Sequence, residues 1–127
     1  MHIPYQELFG RQPDFEVTYH IYSPEEGGRT LPGFQGTLWD FMDDVDRNGM
    51  YMIYPEILNL TTREPFERGM PIPENGIATM WILSSKLRSL HQQRIKVGTR
   101  GYFMEGSKKV AVCEVTNIIS LFSNPVE

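Results

Sequence analysis

The chain is poor in the features that would place it in several large functional classes. It has one cysteine, Cys113, so no internal disulfide can form, which fits a reducing compartment. No apolar run approaches the length of a membrane-spanning helix. No GxxxxGK(S/T) phosphate loop is present, which excludes nucleotide hydrolysis of that kind. Basic residues are not in excess: 12 Lys and Arg against 16 Asp and Glu give a formal net charge of −4. That balance weighs against a protein whose whole surface grips nucleic acid. The opening MHIPYQELFGR lacks the basic stretch and apolar run of a secretory signal. No internal repeat is visible. The expected setting is cytoplasmic.

What is there reads as one domain. A length of 127 residues, 40% of them hydrophobic, suffices for one ordinary core. We read residues 1–14 as a lead-in, 15–122 as the domain and 123–127 as a tail. Residues 15–22 alternate apolar and polar side chains, the pattern of a half-buried strand. Tyr22 to Gly36 then spends Pro24, Gly27, Gly28, Pro32, Gly33 and Gly36 in quick succession, which makes a long shaped loop and not a helix. Leu38, Trp39, Met42 and Val45 recur at roughly helical spacing, so a short helix or compact loop is expected near 37–48. Residues 50–58 are strand-like but broken by Pro55, the mark of an edge strand or a bulge. Residues 61–75 connect to an apolar strand over 77–83. Residues 84–93 fit either a helix or a strand. A final pair of strands, 100–104 and 110–119, is joined by a tight turn at Glu105-Gly106-Ser107-Lys108. About six short strands with little helix predict an all-β fold, a small closed antiparallel barrel.

Three of these segments carry a resemblance. Tyr22-Ser23-Pro24-Glu25-Glu26-Gly27-Gly28-Arg29-Thr30, continuing to Gly36, resembles the opening of the C-terminal β-barrel, the third domain, of elongation factor Tu. Gly98-Thr99-Arg100 followed by Glu105-Gly106-Ser107-Lys108-Lys109-Val110 is similar to the end of that domain. Met70-Pro71-Ile72-Pro73-Glu74-Asn75 resembles a turn between them. The likeness spans roughly residues 15–120. It departs at Trp39–Asn48, an acidic insertion, at the strand 50–57, which lacks the family's R-P-Q, and at 84–93, which is longer. These residues contain no GTPase domain. The resemblance implies a six-stranded barrel that contacts a tRNA arm or a GTPase domain. It carries partner-contact roles to Arg29, Thr30, His91, Glu105, Gly106 and Lys108: a guanidinium for phosphate and a glycine where backbones approach.

Other candidates have plainer readings. Asp44-x-Asp46-x-Asn48-Gly49 copies the start of a calcium loop, but the twelfth position is Pro55 where a bidentate Glu is needed. A solvated acidic turn is the expectation, and no metal or cofactor is assigned. Lys108-Lys109 reads as a solvated hairpin tip, and His2 as disordered. Cys113, inside an apolar strand, reads as a buried small hydrophobe and not as a nucleophile served by His91. No catalytic constellation emerges, so the chain is expected not to be an enzyme. Two functions follow. One is a non-catalytic binding module beside translation, with a tRNA or protein partner and no membrane contact. The other is an immunity or antitoxin-like decoy, meeting a basic protein partner through Asp40, Asp43, Asp44 and Asp46.

Overall fold

The alternation in the first strand decides the centre of the sheet. In β1 (Phe15–Ile21), Phe15, Val17 and Tyr19 are buried in the core, while Thr18 and His20 face the other way. In the computed structural model, which describes residues 2–29, 33–45 and 49–124, β1 is flanked on both sides. The remaining strands are β2 (Asp40–Asp43), β3 (Ile53–Leu58), β4 (Asn75–Ile82), β5 (Arg100–Glu105) and β6 (Lys108–Ile118). They form one antiparallel sheet of six strands in the order β2-β5-β6-β1-β4-β3.

The all-β expectation holds, but the barrel is open, a curled half-barrel. β2 and β3 are its two edges. Among the described residues one bridge crosses the seam, where Phe41 and Tyr51 exchange backbone hydrogen bonds of 2.9 Å. The seam does not zip further because β3 has spent its outer edge elsewhere. Pro55 has no N–H to give. Ile57 is served by the buried Gln35 side chain, whose Oε1 accepts from the Ile57 N–H at 3.0 Å and whose Nε2 donates to the Ile57 carbonyl at 2.9 Å. One carboxamide thus replaces a peptide group of a missing strand.

The segment near 37–48 needs a second correction. Asp40–Asp43 is strand β2, paired with β5, and no helix forms over the described residues 37–45. Helical spacing of Leu38, Trp39, Met42 and Val45 loses to a pleat that sends Phe41 into the core and Met42 outward, against Tyr102 and Met104. Gly101 makes room: a Cβ there would sit 2.5 Å from the Phe41 ring.

β4 is buried on both faces, which explains its unbroken apolar run. Ala78, Met80 and Ile82 enter the core. Trp81 points outward beneath α1 (Tyr5–Phe9), whose Tyr5 and Phe9 rings lie 5.9 and 5.7 Å from it. The lead-in is therefore packed, and His2 is ordered: its Nε2 lies 2.6 Å from the buried Glu56 carboxylate. The ambiguous stretch 84–93 is helical, a 3-10 turn at Ser85–Leu87 and then α2 (Arg88–Arg94). Arg88 and His91 face inward there.

Candidate functional site

The residues carrying the sequence motifs meet at one end of the sheet. After β1 the chain makes a 3-10 turn at Pro24–Glu26, closed by a capping box between Ser23 and Glu26. Gly28 then passes so close to Tyr22 that a Cβ would fall 2.0 Å from the Tyr22 carbonyl oxygen. This is the physical reason for a glycine at that position of the loop. Across from it, β5 and β6 form a hairpin whose turn holds Gly106 at φ +61°, a conformation that favours glycine.

Glu105 joins the two pieces. Its Oε2 accepts from the Trp39 indole Nε1 at 3.0 Å and lies 3.2 Å from Arg29 Nε. Lys108 Nζ donates to the Gly28 carbonyl at 3.0 Å. Arg29, Glu105, Gly106 and Lys108 are thus one cluster built from segments far apart in the chain. Arg29 Nη1 is buried and has no hydrogen-bond partner among the described residues. Thr30 lies outside the described residues, as do Asp46 and Asn48.

His91 does not join the cluster. It is 1% exposed, packed edge-on to the Tyr51 ring at 4.7 Å, and offers no surface to a partner. Burial pushes its imidazole down to about 4, although Asp43 nearby favours the charged form. The acids of the insertion separate as well. Asp43 is fully buried, its Oδ1 accepting from the Val45 N–H. Asp40 and Asp44 are half-buried, and Asp44 Oδ1 lies 3.2 Å from the Tyr102 hydroxyl. Cys113 is buried as expected, and burial pushes its thiol well up.

Sequence reasoning missed the outward face of β1. His20 Nε2 lies 2.9 and 3.0 Å from the two oxygens of Glu26, and Nδ1 lies 2.9 Å from Asn75 Oδ1. Glu26 and then Asn75 hold this imidazole above its ordinary range. The Ser23 N–H and then His20 hold Glu26 below the usual carboxylate range. A cleft of about 430 Å³ opens beside this pair, with Thr18, His20, Asn75, Arg100 and Glu114 in its wall. The outward position of His20 in an alternating strand is the only sequence signal for it.

No known protein-family model matches the chain, and no curated protein matches it either. No helix among the described residues is long and apolar enough to cross a membrane.

Proposed function

We propose that the chain is a non-catalytic binding module resembling the third domain of elongation factor Tu, acting in the cytoplasm with a translation-related partner. The observation that carries this reading is the Glu105 contact with both Arg29 and Trp39. It makes the turn-rich loop and the hairpin, two segments of the resemblance, a single preorganised surface. The same contacts favour a protein partner such as a GTPase domain over a tRNA arm. A phosphate clamp needs cations free to bind it, whereas Arg29 already faces a carboxylate and Lys108 a backbone carbonyl.

The test is direct binding of the full chain to an elongation-factor GTPase domain and, separately, to total tRNA, with Arg29→Ala as the control. Saturable binding to the protein, weakened by Arg29→Ala, supports the reading. Salt-sensitive binding to tRNA alone moves the partner to RNA, and binding to neither overturns the translation link. The decoy reading keeps only Asp40 and Asp44 as described surface acids, since Asp43 is interior. It predicts a basic protein partner that is lost on Asp40→Asn with Asp44→Asn.

A further inference from the structure

His20, Glu26 and Glu74 each present one ligand atom, and the three atoms lie within 4.8 Å of one another. They reach this point from β1, from the 3-10 turn after it, and from the residue just before β4. Each is positioned by a group outside the trio. Asn75 Oδ1 accepts from the imidazole Nδ1–H, so Nε2 is aimed at the Glu26 carboxylate, and its proton is the one a metal ion would displace. The Ser23 N–H holds Glu26 Oε1 at 2.9 Å. The Glu74 backbone is pinned to β1 by a 2.7 Å hydrogen bond from the Ile21 N–H to its carbonyl.

His20 is the trio's one source of positive charge. No lysine or arginine pairs with Glu26 or Glu74 among the described residues, and the Glu74 carboxylate has no hydrogen-bond or ion-pair partner there. Two carboxylates brought this close repel unless a cation lies between them. An imidazole whose second nitrogen is bound to an amide oxygen is the usual way a metal-ligating histidine is oriented. The adjoining cleft leaves room for water or a further ligand.

We propose that His20, Glu26 and Glu74 form a binding site for a divalent cation of the zinc class, oriented by Asn75. One imidazole nitrogen with two carboxylate oxygens suits Zn²⁺ better than Ca²⁺, which prefers oxygen alone. The bound ion cross-links the turn after β1 to the start of β4, so it stiffens the loop that leads to Arg29. The assignment stands whether or not the module reading does.

The experiment is Zn²⁺ titration of the full chain in a non-chelating buffer, by calorimetry and by competition with a chromophoric chelator. One ion per chain is expected, with a higher melting temperature in Zn²⁺. Glu74→Gln and His20→Ala should each weaken binding at least tenfold, and Asn75→Ala by roughly tenfold. Glu25→Gln, next in sequence but outside the trio, should leave it unchanged. The Glu74 side chain makes no hydrogen bond or ion pair among the described residues, so Glu74→Gln removes none from the fold and decides the matter. Full Zn²⁺ affinity in Glu74→Gln, no saturable binding, or Ca²⁺ bound more tightly than Zn²⁺ would each overturn the assignment.

Discussion

Asp14 and Arg88, 74 positions apart in sequence, form an ion pair with both side chains inside the protein, 0% and 2% exposed. The Asp14 carboxylate is fully employed. It also accepts from the Ile82 N–H at 2.8 Å, from Asn124 Nδ2 at 2.8 Å and from Arg11 Nη1 at 3.1 Å. One side chain therefore ties the lead-in, the end of β4, α2 and the last described residues together. Asp14→Ala removes the buried carboxylate that faces the Arg88 guanidinium and should cost about 3–5 kcal/mol. Asp14→Ala combined with Arg88→Met should cost less than Asp14→Ala alone, because the buried cation leaves together with its carboxylate. Urea denaturation of the single and double variants measures both.

His91 predicts the acid side of the stability profile. Its ordinary value is 6.5, and burial lowers it to about 4 in the folded protein. Between those values the unfolded chain binds a proton and the folded chain does not, so stability rises with pH there. The stabilisation is complete above about 6.5 and is lost as pH falls to about 4, at most roughly 3 kcal/mol in all. His91→Gln should flatten this part of the curve. Unfolding free energy at several pH values from 4 to 7 checks it.

Gln35 should be worth far more than a loop glutamine usually is. Gln35→Leu keeps the size but removes the acceptor for the Ile57 N–H and the donor to the Ile57 and Phe66 carbonyls. Each buried group left unpaired costs about 1–3 kcal/mol. The variant also bares the edge of β3, a template for pairing with a second chain. Chemical denaturation should show the loss of stability, and light scattering a rise in self-association.

Glu105 separates two contributions. Glu105→Gln keeps an oxygen for the Trp39 indole but removes the charge facing Arg29. That pair is partly exposed, 22% and 44% by side chain, so the cost should be under about 1 kcal/mol. Glu105→Ala strands the indole N–H of Trp39, which is 2% exposed, and should cost about 1–3 kcal/mol. Comparing the two variants by denaturation, with Trp emission as a second readout, distinguishes the terms.

Local patterns were legible wherever one face of a strand met the core and the other met water. β1 shows its alternation, Pro55 marks β3 as an edge, and Gly106 marks the hairpin. The reading failed where burial came from elements distant in sequence. Trp81 is covered by a helix of five residues that has no periodicity to detect. β2 has four residues, too few for its period to outweigh a chance helical spacing. Closure failed for a different reason: nothing local says that the Gln35 carboxamide will finish the edge of β3. At the candidate site, Arg29, Glu105 and Lys108 were visible as motif residues. The involvement of Trp39 and of His20 with Asn75 was not, because those contacts join strands through register.

The strand order sets a timetable for synthesis. β1 leaves the ribosome before both of its neighbours, β4 and β6, and β6 is the last made of the six described strands. Until residues 108–118 exist, the middle of the sheet has one bare side, and its apolar face has no lasting cover. Pairings between such distant segments form slowly. The nascent sheet therefore depends on β6, and a stop codon anywhere before it would leave the sheet split at its centre.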